Sequence, residues 1–332
     1  MQATAEGTAR YADRHADFRD ADFYRTAFDL QVSSLGIGTY RGKSDEASDR
    51  AYTSALIAAG ERGINFFDAA INYRDQRSER CIGAALRRLP RDEMVICTKA
   101  GFLTPGAIPS SLRPDDVVGG THSMAPHFLA DQIERSRANL GVDSIDVFYL
   151  HSPETQLGRV TPAEFEKRIR SAFALLERQA NEQKIRWYGA ATWDGFRKPG
   201  ALNLERMAEI ATEEGGPKHR FRFIQLPFNL AMVEAYGNGG ESVLKRAAWL
   251  GITVVASATL MQGRVLGHMP DEAAALLPGL ETDAQRAIQF TRSTPGIAVA
   301  LVGMGQAKHV EENLGVARAR PATLAEYQRL YQ

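Results

Sequence analysis

Eight short runs of apolar residues, separated by longer amphipathic segments, limit the folds that this chain can adopt. Within each run the apolar residues are continuous and do not alternate with polar ones, which is typical of strands buried on both faces. Strands of this kind form parallel sheets that are covered by helices. The eight predicted strands cover residues 33–40, 64–70, 93–100, 145–151, 185–192, 221–227, 252–258 and 297–303.

The segments between these runs predict helices, because their apolar residues recur at spacings of three and four. A strand followed by a helix, repeated eight times, predicts a (β/α)8 TIM barrel. The competing doubly wound open sheet should carry GxGxxG after its first strand, whereas GIGTYRG at 36–42 has a different spacing. The predicted helices cover residues 47–62, 77–88, 126–140, 164–182, 203–214, 240–249, 282–293 and 306–317.

The pattern assigns residues 21–332 to one barrel domain and residues 1–20 to a polar N-terminal extension outside it. Three predicted loops are long, at 101–125, 152–162 and 228–240. Each of them follows a strand, and in a barrel the loops after strands build the active site at the C-terminal face. We therefore expect a functional site at that face.

Charge and composition exclude several classes of protein. The chain has 332 residues, with 40 Lys plus Arg and 40 Asp plus Glu, so its formal net charge is zero. The absence of a basic run argues against a nucleic-acid or membrane-surface partner, and no apolar run has the ~18 residues of a membrane span. Cys81 and Cys97 form no CxxC motif, so we expect them to be buried core residues in a reducing cytoplasm.

Four polar residues stand at or just after the ends of three consecutive predicted strands. They are Asp68 and Tyr73 after the second strand, Lys99 after the third and His151 after the fourth. A purely structural explanation would be a buried Asp–Lys ion pair, but that pair does not account for Tyr73 and His151. Because a lysine ammonium lowers the pKa of a nearby phenol, the set predicts a tyrosine general acid beside a carbonyl group polarised by histidine.

With these residues in place, the chain resembles the aldo-keto reductase family from about residue 28 to 317. The resemblance rests on FFDAAINY (66–73), ICTKAG (96–101) and FYLHSPE (148–154), which carry the Asp, Tyr, Lys and His of the family's catalytic tetrad in the same chain order. Further similar stretches are LGIGTY, IRWYGAAT, QLPFNL, LMQGRVLG and VGMGQAKHVEENL. The resemblance implies a barrel that binds a nicotinamide cofactor without a Rossmann motif.

The resemblance also implies where the cofactor binds. Gln225 matches a family Gln that holds the nicotinamide amide, while Ala191 and Thr192 stand where the family has Ser and Asn. Ser257 stands where an aromatic residue often stacks, and Trp193 or Phe228 could supply that surface instead. The implied cofactor-binding set is Gly38, Thr39, Tyr40, Asp68, Thr192, Gln225, Ser257, Leu260, Gly263, Gly303, Gly305, Lys308, His309, Glu312 and Asn313.

Cofactor choice depends on the last predicted turn, where NADPH-preferring relatives usually place arginines for the 2′-phosphate. Gly305 and His309 occupy those positions here, and Lys308 is a possible substitute. The family resemblance makes NADP(H) the first choice, with NAD(H) as the alternative.

The predicted substrate pocket is lined by Tyr40, Tyr73, His122, His151 and Trp193. His122 and His151 have no third close ligand in the sequence, so we predict no metal site. The predicted function is NAD(P)(H)-dependent interconversion of a carbonyl and an alcohol, on an aldehyde, a ketone or a sugar. The alternatives are a redox-silent barrel acting as a binding or regulatory subunit, and a cofactor-independent lyase or isomerase for a sugar. The oligomeric state is left open.

Overall fold

A closed barrel of eight parallel strands forms the centre of the computed structural model, which describes residues 2–237, 242–267 and 277–329. The strands pair in chain order, and the last pairs with the first. The (β/α)8 barrel is therefore confirmed, and each predicted strand matches an observed one to within two residues. The strands are β1 Leu35–Gly38, β2 Phe66–Asp68, β3 Val95–Ala100, β4 Ile145–His151, β5 Ile185–Ala191, β6 Phe221–Pro227, β7 Thr253–Ser257 and β8 Ile297–Gly303.

A helix follows every barrel strand, as the amphipathic segments predict. The predicted helix at 240–249 begins at Val243 in the structure, and residues 240 and 241 lie outside the described residues. The predicted helix at 306–317 changes at Leu314 into a 3-10 helix that ends at Arg318. The helices are α1 Glu46–Glu61, α2 Arg77–Leu86, α3 Pro126–Leu140, α4 Pro162–Asn181, α5 Leu204–Gly215, α6 Val243–Trp249, α7 Asp283–Ser293 and α8 Ala307–Asn313.

The strands are continuously apolar because both of their faces are buried. In β4, Val147 and Tyr149 point into the barrel interior, whereas Phe148 and Leu150 pack against the surrounding helices. All four side chains have no solvent exposure. Polar side chains therefore stand out where the strands end, and this places the candidate site at the C-terminal face.

An antiparallel hairpin closes the opposite, N-terminal end of the barrel. It pairs Tyr24–Ala27 with Leu30–Ser33, and neither strand was predicted. Leu30 and Val32 are buried in the same apolar cluster as the interior strand residues. The hairpin therefore covers the N-terminal end of the barrel interior.

Residues 1–20 differ from the expectation of a polar extension outside the barrel. The helix Ala5–Arg14 is capped by Thr4, whose side chain accepts a hydrogen bond from Gly7 N, and the helix Ala16–Arg19 follows it. Tyr11 is fully buried and donates to Gly60 O at 2.8 Å. The buried face of the helix Ala5–Arg14 consists of Gly7, Thr8, Tyr11 and Ala12, so it has one large side chain, which explains why the segment reads as polar. The boundary near residue 20 stays a prediction.

Other short elements lie in the loops and at the C-terminus. Within the part of the chain that is described, no helix combines the length and the apolar character needed to cross a membrane. The long loop at 101–125 contains a small hairpin of Val117–Val118 and His122–Ser123. The remaining elements are the 3-10 helices Arg91–Glu93, Pro114–Asp116, Pro153–Gln156 and Met261–Gly263, and the α-helix Leu324–Arg329.

Candidate active site

A buried ion pair lies at the C-terminal end of the barrel. Lys99 Nζ, from β3, is 2.5 Å from Asp68 Oδ1, at the end of β2, and it also donates to Ala69 O at 2.7 Å. The Lys99 side chain is completely buried. Desolvation opposes the charge of the ammonium, but Asp68 and Tyr73 raise the pKa of Lys99 above its usual value. The lysine is therefore a fixed cation at neutral pH.

Gln225, on β6, holds the second oxygen of the same carboxylate. Its Nε2 donates to Asp68 Oδ2 at 2.9 Å, across the barrel interior. Burial raises the pKa of Asp68, while Lys99 and Gln225 oppose that rise. The sequence predicted Gln225 only as a cofactor contact. Its position on a distant strand hid the contact with Asp68, which only closure of the barrel brings about.

Tyr73 lies above this pair, in the turn between β2 and α2. Lys99 Nζ is 5.0 Å from the centre of the Tyr73 ring, and the Tyr40 ring packs edge-on against it at 4.9 Å. Burial raises the pKa of Tyr73, and the Lys99 ammonium only partly opposes the rise. The influence of Lys99 has the expected direction, but the pKa of Tyr73 still lies above its usual value because loss of solvent has the larger effect.

His151, at the end of β4, faces the same space. Its ring is 5.7 Å from that of Tyr73 and 5.0 Å from that of Phe102. Burial lowers the pKa of His151 well below its usual value, and Lys99 lowers it further. Its Nδ1 is buried and finds no hydrogen-bond partner among the described residues. A buried lone pair is easier to leave unpaired than an N–H, so the neutral ring should carry its proton on Nε2.

His122 does not reach this space, so its predicted contact with the substrate is wrong for this structure. It is 1% exposed, and both of its ring nitrogens are engaged. Gln156 Nε2 donates to His122 Nδ1 at 3.0 Å, which leaves Nε2–H of His122 to donate to His151 O at 2.8 Å. Burial lowers the pKa of His122 to about 4. His122 therefore supports the main chain of His151 as a neutral ring.

A cavity of about 920 Å³ opens in front of these residues. Lys99 lies beneath its wall, whereas Tyr73 and His151 line it directly. Phe228, the alternative to Trp193 as an aromatic surface, is fully buried and stacks on Phe290, so it is a core residue. The other predicted residues that line the cavity are Gly38, Thr39, Tyr40, Asp68, Thr192, Trp193, Gln225, Ser257, Leu260, Gly263, Gly303, His309, Glu312 and Asn313.

Two predicted cofactor residues do not line the cavity in the described part of the chain. Lys308 is exposed, and Gly305 lies where an added Cβ would be 3.2 Å from the Tyr52 ring. Arg41 and Arg264 line the cavity instead, and sequence reasoning missed both. No signal identified them, because exposed arginines in loops are common. Other lining residues that were missed include Asn72, Phe102, Ser152, Met232, Thr259 and Gln262.

The cavity contains polar atoms without hydrogen-bond partners in the described chain, as a dinucleotide site would need. Thr259 Oγ1 and Asn313 Oδ1 are buried, belong to cavity-lining residues and have no partner within the described chain. At Gly303, no described atom lies within 4 Å of the place where a Cβ would stand, so a ligand can approach the main chain there. These features fit an elongated ligand that supplies both hydrogen-bond donors and acceptors.

The described residues at this face do not form a metal site. Across residues 2–237, 242–267 and 277–329, no three His, Cys, Asp or Glu side chains lie close enough together to hold a metal ion.

Cys81 and Cys97 are free and buried, which confirms their prediction as core residues.

Comparison with known proteins agrees with the geometry. The aldo/keto reductase family matches residues 34–276 of this chain. A D-threo-aldose 1-dehydrogenase from a Pseudomonas species is 33% identical over 259 residues, which are 73% of this chain and 74% of the relative. An NADH-specific methylglyoxal reductase from Escherichia coli is 27% identical over 173 residues, which are 50% of each chain.

Solved structures share the fold. A glycerol dehydrogenase from Gluconobacter oxydans has a TM-score of 0.72 at 19% identity, covering 94% of both chains. An aldo-keto reductase from Klebsiella pneumoniae in complex with NADPH has a TM-score of 0.66 at 21% identity. That similarity covers 92% of this chain and 94% of the other.

Proposed function

This chain belongs to the aldo/keto reductase family, and on that premise we propose that Tyr73 is its general acid and base. Membership makes it an NAD(P)(H)-dependent oxidoreductase that interconverts a carbonyl and an alcohol. The observation that carries the assignment is the Tyr73 ring placed over Lys99 Nζ, with Lys99 held by Asp68. The redox-silent barrel and the cofactor-independent lyase or isomerase are not favoured.

The four residues divide the work by their chemistry. The Tyr73 phenol donates the proton that the substrate oxygen takes up in reduction, and the phenolate accepts it back in oxidation. The Lys99 ammonium stabilises the phenolate, and Asp68 holds that ammonium in place. The Nε2–H of His151 donates a hydrogen bond to the carbonyl oxygen, where negative charge develops. His151 serves as a neutral donor, because its buried ring resists protonation.

The cofactor is proposed to lie along the cavity from Gln225 to Asn313. When bound, its nicotinamide gives the hydride to the substrate carbon or takes it from there. Gln225, Thr192 and Ser257 would surround the nicotinamide end, and Glu312 with Asn313 the adenine end. NADP(H) remains the first choice, with Arg264 as a lining residue that could pair with a 2′-phosphate, and NAD(H) remains possible.

We propose a hydroxylated substrate, such as an aldose or a related polyol. Asn72 and Ser152 line the cavity beside the aromatic residues Tyr40, Phe102 and Trp193. Amide and hydroxyl groups can bond to sugar hydroxyls, while aromatic rings pack on the C–H faces. The relative named D-threo-aldose 1-dehydrogenase supports the same class. A reducing cytoplasm is the proposed compartment, since Cys81 and Cys97 are unpaired thiols.

The test begins with titration of the protein by NADPH and by NADH, followed through tryptophan fluorescence. We expect saturable binding of at least one, and oxidation of aldoses by the matching oxidised cofactor. Tyr73→Phe should lower kcat by about 10²- to 10⁴-fold while cofactor affinity is unchanged. Failure to bind either dinucleotide, or full activity of Tyr73→Phe, would contradict the proposal.

A further inference from the structure

The turn that carries Tyr73 has an unusual backbone. Arg74, Asp75 and Gln76 follow it with φ values of 51°, 54° and 70°. This left-handed region is visited routinely only by glycine, and each other residue held there costs about 1–3 kcal/mol. Three such residues in succession need strong contacts to hold them, and the strain lies next to the residue proposed to transfer the proton.

Arg74 supplies those contacts. Its side chain is 1% exposed, which is rare for arginine, and its guanidinium is paired with Asp49 in the first turn of α1. Nε donates to Lys43 O at 2.9 Å, and Nη1 lies 3.6 Å from Cys81 Sγ. The guanidinium also lies over the Tyr52 ring, 5.0 Å from its centre. This planar group therefore bonds in several directions, which lysine could not reproduce.

These contacts tie the Tyr73 turn to the loop after β1. That loop carries Tyr40, whose ring packs against Tyr73. The loop is fixed a second time by Ser78 Oγ, which donates to Thr39 O at 2.7 Å. Arg74 is buried and is not one of the described residues that line the cavity. Its effect on a bound substrate must therefore pass through Tyr73 and Tyr40.

We propose that Arg74 is a positioning residue, which holds Tyr73 in register with Lys99 and His151 by anchoring the strained turn to the loop after β1. The inference rests on the proposed role of Tyr73 in proton transfer. A displacement of a reacting group by about 1 Å can cost about 10²-fold in rate. Loss of the anchor should therefore slow the chemical step more than it weakens cofactor binding.

The first experiment compares Arg74→Met and Arg74→Lys with Arg77→Met. Arg77 pairs with the same Asp49 but is one-third exposed, so it is a matched control for loss of that ion pair. For both Arg74 variants we expect kcat to fall by about 10- to 100-fold, with the NADPH dissociation constant unchanged. The alkaline limb of the pH profile for reduction should also move upward, because a displaced phenol is less influenced by Lys99. Arg77→Met should keep the kcat and profile of the wild type.

Chemical rescue separates positioning from general loss of structure. In Arg74→Ala, guanidinium chloride at a non-denaturing concentration should restore part of kcat, whereas sodium chloride at equal ionic strength should not. If a folded Arg74→Lys keeps the wild-type kcat and pH profile, the inference is overturned. It is also overturned if every Arg74 variant loses activity only in proportion to its unfolded fraction, without rescue.

The two proposals fail in different ways. An inactive wild type, or an active Tyr73→Phe, removes the proposed function itself. If the wild type is active, Tyr73→Phe is inactive and the Arg74 variants are fully active, the proposed function is supported. The proposed positioning role of Arg74 alone is then contradicted.

Discussion

Replacing Lys99 by methionine tests whether the Lys99–Asp68 contact is an ionised pair. The substitution keeps most of the apolar stem and removes the ammonium that lies 2.5 Å from Asp68 Oδ1. The carboxylate, 5% exposed, then keeps the hydrogen bond from Gln225 as its one remaining side-chain partner among the described residues. Breaking one partner of a buried pair typically costs about 3–5 kcal/mol, so we expect a loss of that size in the free energy of unfolding.

Adding Asp68→Asn completes the cycle. The double variant has neither charge, so the penalty for an unpaired buried ion disappears. Its loss of stability should be smaller than the sum of the two single losses by about 2 kcal/mol or more. Urea denaturation of the four proteins at pH 7 measures these differences, with the slope checked for two-state behaviour.

Activity of the same four proteins separates structure from function. The double variant should recover stability but stay inactive, since Tyr73 then lacks the ammonium that stabilises its phenolate. Additive losses, within about 0.5 kcal/mol, would refute the reasoning about an ionised pair. A stable double variant with wild-type kcat would show instead that the pair only closes the end of the barrel.

Three further predictions concern pH and the cofactor. The pKa of His122 is about 4 in the folded protein and near 6.5 when unfolded. The stability that His122 contributes is therefore present above pH 6.5 and lost as pH falls toward 4, by up to about 3 kcal/mol. In His122→Gln, the free energy of unfolding, measured by denaturation between pH 7 and pH 4.5, should decline less than in the wild type. Arg264→Gln should weaken NADPH binding about tenfold with little effect on NADH, as measured by titration; equal effects on both would exclude a contact with the 2′-phosphate. With the Tyr73 phenolate as the base, the rate of alcohol oxidation should rise with pH through the neutral range, while the rate of carbonyl reduction stays constant. A rate of oxidation that does not change with pH would show that the phenolate is not the base.

The barrel could be predicted because its elements carry strong local patterns. A run such as residues 145–151 is apolar throughout only when both faces are buried, and the helical segments show the matching 3.6-residue period. The hairpin at 24–33 was missed because its strands have four residues each and lie outside that alternation. The N-terminal helix was missed because its buried face is narrow, with Tyr11 as its only large apolar side chain.

The site was predictable at the strand ends and less so in the loops. Asp68, Lys99 and His151 take their places from strand register, which the barrel fixes. His122 lies in a loop whose path depends on contacts remote in sequence, such as that from Gln156 to the His122 ring. Lys308 lies in the first turn of α8 with its side chain exposed. Arg74 could not be identified, because a run of left-handed residues without glycine breaks the local preference that sequence reasoning relies on.

The balance acting on Tyr73 fits its proposed role as an acid buried beside a lysine. Burial alone would make the phenolate too costly to form, and the ammonium alone would release the proton too readily. Because burial has the larger effect, Tyr73 stays protonated at neutral pH and is ready to donate in reduction. The nearby ammonium keeps the phenolate accessible when the alcohol is oxidised. In the proposed mechanism both directions depend on the distance between Tyr73 and Lys99, which the Arg74 anchor is proposed to hold.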